Sequence, residues 1–221
     1  KTIGIIGLGN IGSAVARRAQ GMEMKVIAFD PFVSAERAKQ LMVTMVSLEE
    51  LFKTSDFITI HTPLNATTKS IITEKEIALM KPSVRIINCA RGGLIDEEML
   101  VKAITEKKIA GAALDVFTKE PITESPLFTK DNIVVTPHLG ASTAEAQVTA
   151  ARDVAEQIVD VLNGRPARYA VNIPFVTAET FAVLSPYMKT ASVAGILLSQ
   201  LTEGQIKAVH IKYDGEIANY D

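Results

Sequence analysis

The sequence predicts a doubly wound α/β fold, in which a parallel sheet carries helices on both faces. Short apolar runs typical of buried strands alternate with helix-compatible segments, and the connections between them are short. Ligands of such sheets bind beyond the carboxyl ends of the strands. Polar residues stand directly after several of the apolar runs, namely Asp30, His61, Arg91, Asp115 and His138. Their shared position indicates one site along one edge of the sheet.

The first predicted strand, Ile3 to Ile6, runs into three glycines with G-x-G-x-x-G spacing, followed by a helix-compatible segment. Gly7 permits a tight turn, Gly9 lets a pyrophosphate approach the backbone, and Gly12 lets the helix pack closely on the strand. Free N–H groups and the dipole at the helix start favour that anion. The predicted ligands of this Rossmann-type turn are Gly7, Gly9, Asn10, Ile11 and Gly12.

The second predicted strand, Lys25 to Phe29, ends at Asp30. An acidic side chain at this position accepts hydrogen bonds from both hydroxyls of an adenosine ribose and repels a 2′-phosphate. An ordinary turn and a solvated carboxylate would explain the glycines and Asp30 separately. Because strand, turn, helix, strand and acid follow in order, the sequence favours a binding site for NAD.

The middle of the chain continues the alternation. The predicted elements are a helix over 35–41, a strand over 43–46, a helix from Ser47 to Lys53, a strand over 57–60 and a helix over 73–80. Ser47 and Glu50 have the spacing of a capping box, in which each side chain bonds the other residue's backbone N–H. Pro82 ends the last of these helices.

In the next part of the chain, residues 84–164, the sequence predicts three more strands and two helices. Strands are expected over 84–88, 110–114 and 133–135, and a long helix over 141–163 with Gly164 as its C-cap. Asp96 is expected to cap the other helix, with Lys107 and Lys108 in its last turn.

The tail beyond residue 170 differs in character. It predicts one helix, about Thr180 to Leu201, and one strand, Ile206 to Tyr213. A single helix and strand bury too little surface to be stable alone. We therefore expect a nucleotide-binding domain over 1–170, then a hinge and the truncated start of a further domain over 171–221, in a chain that is a piece of a longer protein.

Composition narrows the class of protein. The chain has 221 residues, 48% of them hydrophobic, and a net charge of −2 with both signs interspersed. This balance argues against a nucleic-acid surface or a polybasic membrane anchor. No apolar run approaches the roughly 20 residues of a membrane span. The single cysteine, Cys89, excludes an intrachain disulfide and fits a reducing compartment, so we expect a cytoplasmic protein without membrane, nucleic acid or metal.

Three polar residues fit the chemistry of a nicotinamide enzyme, which needs an acid–base group and a cation for a carboxylate. His138 suits proton transfer, and the Arg91 guanidinium suits a forked bond to a carboxylate. Glu120 can bond His138 and fix its tautomer. Each residue also has an ordinary structural interpretation, so residue type and spacing alone leave these roles open.

Four motifs in order resemble the D-isomer-specific 2-hydroxyacid dehydrogenases over residues 1 to about 174. They span residues 7–12, 80–93, 113–121 and 136–140. The resemblance implies that Arg91, Glu120 and His138 are catalytic, and that Asp115 holds the nicotinamide carboxamide. It also implies that Thr62 and Pro63 line the adenine side of the cofactor. Further cofactor contacts are implied at Cys89, Ala90, Arg91, His138 and Gly140.

Within that family, residues 140–147, 170–174 and the tail are similar to members that oxidise 3-phosphoglycerate to 3-phosphohydroxypyruvate, on the way to serine. Other open readings are a dehydrogenase for glyoxylate, hydroxypyruvate or lactate, and an NAD-sensing corepressor-like module. The resemblance also implies a homo-oligomer, typically a dimer. Family members carry a substrate-domain segment before the first strand, and the chain begins at that strand. We therefore expect it to bind NAD with little or no turnover.

Overall fold

The computed structural model describes residues 1–167, 169–170, 178–204, 206–212 and 214–219. The chain forms two compact units, Lys1–Thr143 and Ala144–Asp221. The predicted domain boundary after residue 170 stays a prediction, because the hinge expected around Val171 to Pro174 lies outside the described residues.

The first unit contains a sheet of seven parallel strands. In chain order they are β1 (Thr2–Ile6), β2 (Lys25–Phe29), β3 (Thr44–Met45), β4 (Phe57–Ile60), β5 (Arg85–Asn88), β6 (Gly111–Leu114) and β7 (Ile133–Val135). Their order across the sheet is β3-β2-β1-β4-β5-β6-β7. The order reverses between β1 and β4, which is the switch point where doubly wound folds bind ligands. The predicted fold class is confirmed.

Five helices connect the strands of this unit. They are α1 (Asn10–Gly21), α2 (Ala35–Gln40), α3 (Leu48–Thr54), α4 (Glu74–Ile77) and α5 (Glu97–Thr105), and a 3-10 helix, Pro126–Thr129, precedes β7. Two hydrophobic clusters lie on opposite sides of the sheet. Ile5 belongs to the cluster with Ala16 of α1, and Ile6 belongs to the cluster with Leu51 of α3. Burial on both faces explains why β1 reads as a continuous apolar run.

Side chains cap several helices close to where the sequence predicted. Ser47 Oγ accepts a bond from Glu50 N at 3.2 Å, and Asp96 Oδ1 accepts one from Met99 N at 3.0 Å. The reciprocal capping box forms instead at Thr73, whose backbone N–H donates to Glu76 Oε2 at 2.9 Å. The expectation for the end of α5 was wrong. This helix ends before Lys107, which adopts a positive φ of 57°.

The second unit contains two long helices, α6 (Ala144–Leu162) and α7 (Ala178–Leu201), and a 3-10 helix, Glu216–Asn219. The predicted strand is wrong over 206–212, where the backbone has no regular structure, and Tyr213 lies outside the described residues. A strand needs a neighbour to pair its backbone groups, and none of the described strands pairs with this segment.

One helix segment, Glu179–Leu201, is long and apolar enough by length and composition to cross a membrane, with a mean hydropathy of 1.4. The expectation that no apolar run approaches the length of a membrane span did not identify this segment, because residues such as Pro186 and Lys189 interrupt it. The same length and composition occur in helices that other parts of a protein cover, so this feature alone assigns no membrane contact.

Candidate cofactor and catalytic site

The carboxyl ends of six strands lie in register along one edge of the sheet. Phe29, Ile6, Ile60, Asn88, Leu114 and Val135 are successive pairing partners across it. Adjacent strands are about 4.8 Å apart, so the residues after these positions form one continuous row. This register brings the loops of the predicted site residues to one edge.

The three glycines of the first turn have three different environments. Gly7 has a φ of +92°, and a side chain there would meet the His61 backbone at 2.7 Å. A side chain on Gly12 would overlap the Gly7 carbonyl oxygen, whereas one on Gly9 would meet nothing within 4 Å. Gly7 and Gly12 are therefore required by the fold. The open space at Gly9 is the approach that a pyrophosphate needs.

The start of α1 is prepared for an anion. Gly9 occupies the N-cap and offers no side chain to the free N–H groups, and the first turn of this described helix contains no acidic residue. The nearby Ser13 hydroxyl donates to the Leu8 carbonyl and does not compete for them. Bare N–H groups with the helix dipole behind them fit the pyrophosphate of NAD.

Asp30 lies beside this turn, where the sequence places it. Its Oδ2 accepts a bond from Leu8 N at 2.8 Å, and its Oδ1 accepts one from Phe32 N at 2.9 Å. A carboxylate oxygen has more than one acceptor site, so both oxygens can still receive ribose hydroxyls. The two backbone bonds fix the carboxylate against the glycine turn.

The end of β4 faces the same turn. The buried Thr59 hydroxyl lies 3.0 Å from His61 Nε2, and burial lowers the pKa of the His61 imidazole, which favours its neutral form. The Thr62 hydroxyl oxygen is buried and has no hydrogen-bond partner within the described chain. Pro63 follows on the surface. A polar ligand atom would satisfy the Thr62 hydroxyl, although its predicted place on the adenine side stays a prediction.

The loop after β5 presents Arg91 and is held from below by Asn88. The buried Asn88 amide donates to the Arg91 carbonyl at 2.9 Å and accepts from Ala90 N at 3.0 Å. The Asn88 carbonyl accepts from Asp115 N at 3.0 Å, which joins this loop to β6. The exposed Arg91 guanidinium makes one described bond, from Nη1 to the Ala90 carbonyl. Its other N–H groups suit a forked bond to a carboxylate.

The loops after β6 and β7 meet in a hydrogen bond between two side chains. His138 Nδ1 lies 2.7 Å from Glu120 Oε2, while Glu120 Oε1 accepts a bond from Phe117 N at 2.9 Å. The bond with His138, followed by that from Phe117, lowers the pKa of the Glu120 carboxyl. An ionised Glu120 holds a proton on Nδ1 and leaves Nε2 of the half-exposed ring for chemistry.

Asp115 anchors the loop that carries His138. This carboxylate is only 4% exposed; Oδ1 lies 2.7 Å from Leu139 N and 2.5 Å from the Thr136 hydroxyl, and Oδ2 accepts from Gly140 N at 2.8 Å. Burial raises the pKa of Asp115, but the bonds from Thr136, Leu139 and Gly140 lower it by more. The contact with a nicotinamide carboxamide that the resemblance implies stays a prediction.

The structure joins two of the three predicted catalytic residues directly. Glu120 and His138 are hydrogen-bonded to each other, whereas no described bond links Arg91 to either, although its loop is next to theirs.

Cys89 is exposed, and partial burial together with the Asp115 charge raises the pKa of its thiol. Sequence reasoning missed Asn88, although an amide at the end of an apolar strand is a usable signal. No group of three or more metal-ligating side chains occurs in the part that the structure describes.

Comparison with known families identifies the family of this chain. Residues 1–140 match the family described as D-isomer specific 2-hydroxyacid dehydrogenase, NAD binding domain. The chain belongs to this family. The resemblance seen in the motifs is confirmed, and the glycine turn and Asp30 are the candidate residues for the NAD site of this domain.

Curated relatives match the whole chain. It is 53% identical over 220 residues to a D-3-phosphoglycerate dehydrogenase of Synechocystis, covering 100% of this chain and 40% of the relative. It is 48% identical over 219 residues to a D-3-phosphoglycerate dehydrogenase of Methanocaldococcus jannaschii, covering 99% of this chain and 42% of the relative. The chain thus spans about two fifths of the length of these relatives.

Solved structures agree on the fold. A D-isomer-specific 2-hydroxyacid dehydrogenase of Lactobacillus delbrueckii in its NAD-complexed form matches with a TM-score of 0.71 and 34% identity, over 77% of this chain and 55% of that one. A glyoxylate reductase from Paecilomyes thermophila matches with a TM-score of 0.68 and 39% identity, over 73% of this chain and 49% of that one.

Proposed function

We propose that this chain is the NAD-binding part of a dehydrogenase that oxidises 3-phosphoglycerate to 3-phosphohydroxypyruvate, a step towards serine. The bond of 2.7 Å between His138 and Glu120 carries the proposal, because it prepares a general base next to the Arg91 loop. The names of the curated relatives support the choice of substrate.

The chain's own residues account for binding and proton transfer. Arg91 binds the substrate carboxylate and orients the neighbouring C–H and O–H groups. His138 Nε2 removes the hydroxyl proton as the C–H hydrogen leaves with its electron pair, so the alcohol becomes a ketone. Glu120 stabilises the imidazolium that forms. NAD, when bound, supplies the acceptor for that hydride.

Cofactor choice gives a direct test of the first half of the site. Because Asp30 is fixed by Leu8 N and Phe32 N, its charge faces any 2′-phosphate at the ribose. We expect calorimetry to show NADH binding at least about tenfold tighter than NADPH binding. With NADPH, Asp30 loses a hydrogen bond from the 2′-hydroxyl and is repelled by the 2′-phosphate, and each effect costs about 1 kcal/mol or more. Equal binding, or none, would contradict the proposal.

The substrate is tested with the natural protein that contains this chain. We expect kcat/KM for the oxidation of 3-phosphoglycerate with NAD to exceed kcat/KM for the oxidation of D-lactate with NAD. It should also exceed kcat/KM for the reduction of glyoxylate with NADH. Glyoxylate is the second candidate, because the glyoxylate reductase of the solved structure is 39% identical. Higher kcat/KM with glyoxylate would move the assignment to that reaction.

Residues 1–221 expressed alone are expected to bind NADH with little turnover. Robust oxidation of 3-phosphoglycerate by these residues would refute that expectation.

A further inference from the structure

The Glu120 loop has little packing beneath it. Phe117 and Leu127 are buried at its two ends, with 5% and 1% exposure, while none of the residues 118–126 between them is buried. A cavity of about 670 Å³ lies under this stretch, lined by the first turns of α5 and by the loop itself. Half-buried Ile122, two residues after Glu120, packs against the main hydrophobic cluster, so side-chain packing holds the loop after Glu120 but not before it.

Glu97 holds the part of the loop before Glu120 through hydrogen bonds. Its Oε1 accepts two bonds from Thr118, one from the backbone N–H at 2.6 Å and one from the hydroxyl at 2.7 Å. Glu97 is the first residue of α5, and that helix is anchored in the core through Leu100 and Ile104. The two bonds thus tie the loop, two residues before Glu120, to a rigid element.

A second contact limits the same loop from the Arg91 side. A side chain on Gly92 would overlap the Phe117 carbonyl oxygen, so the loops after β5 and β6 touch backbone to backbone at this point. Phe117 N donates to Glu120, while the next N–H, on Thr118, donates to Glu97. Two successive backbone N–H groups before Glu120 are therefore bonded to different side chains, and Glu97 accepts the second of these bonds.

We propose that Glu97 is a positioning residue for the catalytic pair: by holding Thr118 it keeps Glu120 aligned on His138 Nδ1. The pair needs this support, because its side chains are 34% and 51% exposed, and a single contact between exposed polar side chains holds geometry weakly. The catalytic importance of the alignment rests on the proposed function, but the alignment itself does not.

The test measures the tautomer of the His138 ring by nitrogen chemical shifts in the 221-residue chain, assigned with a His138→Asn variant. With Glu120 aligned, the neutral ring carries its proton on Nδ1; without it, the ring exchanges between both tautomers. We expect Glu97→Ala to reduce the Nδ1–H population several-fold. Glu98→Ala is the matched control, because it removes an equal charge from the same helical turn and has no described bond to the loop.

Two further variants keep the test decisive if Glu97→Ala does not fold. Thr118→Val removes one of the two bonds in a side chain of similar shape, and Glu97→Gln keeps an acceptor oxygen without the charge. Both are expected to give intermediate populations. Wild-type populations in Glu97→Ala, or in both milder variants where Glu97→Ala does not fold, would overturn the proposal, as would an equal fall in Glu98→Ala.

Kinetics in the natural protein that contains the chain provide a second readout. Glu97→Ala is expected to lower kcat at least about tenfold with little change in the KM for NAD, because small misplacements of a reacting group are costly. A change in KM for NAD with kcat intact would contradict a positioning role. If the reaction itself were misassigned, the ring measurement would still respond to Glu97, which separates the two failures.

Discussion

The candidate cofactor half of the site is built from backbone, whereas the candidate catalytic half is built from side chains on loops. Around β1 the anion site consists of the open N–H groups at Gly9, shaped by the turn at Gly7 and by the close packing at Gly12. Around β6 and β7 the site consists of Glu120 and His138, which project from irregular segments and meet at 2.7 Å. The two halves share one sheet edge and differ in what holds them.

This difference decides how each half tolerates substitution. A backbone site depends on the absence of side chains, so added atoms damage it. A side-chain site depends on supporting side chains, here Asn88 within the Arg91 motif and Asp115 and Glu97 farther away in sequence, so lost atoms damage it. Substitutions of opposite kinds therefore test the two halves.

The largest expected effect is on catalysis by the side-chain half. His138 has a positive φ of 56°, which asparagine tolerates better than most residues, so His138→Asn removes the base with little backbone strain. We expect kcat of the active dehydrogenase to fall about a thousandfold, within the usual range for loss of a general base.

Binding and folding serve as its controls. The circular dichroism melt is expected to stay close to wild type, and NADH affinity, measured by calorimetry, is expected to fall far less than kcat. Retention of more than a tenth of the wild-type kcat would show that His138 is not the base, and the two-part description of the site would fail.

The next largest effect separates two glycines of the backbone half. In Gly12→Ala the new methyl group overlaps the Gly7 carbonyl, and we expect a loss of about 3 kcal/mol in the free energy of unfolding. In Gly9→Ala the methyl group points into open space, so stability is retained while NADH affinity falls at least about tenfold.

Urea unfolding followed by circular dichroism, together with NADH titration, checks the pair. Each variant is the control for the other, because both add one methyl group to the same turn. Equal stability of the two variants would mean that α1 does not pack on the strand as closely as the structure shows.

The fold and the cofactor half were predictable because their determinants are local in sequence. Apolar runs, glycine spacing and the acid after β2 lie within residues 3–30, and each one constrains its own backbone. The strand expected over 206–213 is absent from its described residues, 206–212. The local sequence favours a strand there, but a strand also depends on pairing with a neighbour, which local sequence does not show.

The catalytic half was only partly predictable, because its supports are distant in sequence. The resemblance located Glu120 and His138, but no local pattern indicates that Glu97 bonds Thr118, or that Asp115 bonds Leu139 and Gly140. These contacts exist because β5, β6 and β7 are neighbours in the sheet, which is information about topology.

The smallest expected effect concerns Asp115, the buried support of the His138 loop. Asp115→Asn keeps the shape but loses the charge and one acceptor for Thr136, Leu139 or Gly140. We expect the free energy of unfolding at pH 7 to fall by about 2 kcal/mol, as for a hydrogen bond to a charged group. The measurement is urea unfolding by circular dichroism as a function of pH.

The pH dependence identifies the charge as the cause. Because folding lowers the pKa of Asp115 below its ordinary value of 3.8, its contribution is present above that pH and is lost as the pH falls through the folded value. The stability difference between wild type and Asp115→Asn should therefore shrink below about pH 4. Thr136→Val is the matched control, since it removes one donor and leaves the carboxylate titratable. A difference that stays constant down to pH 2 would mean that Asp115 supports the loop by shape alone, and then both halves of the site would depend mainly on sterics.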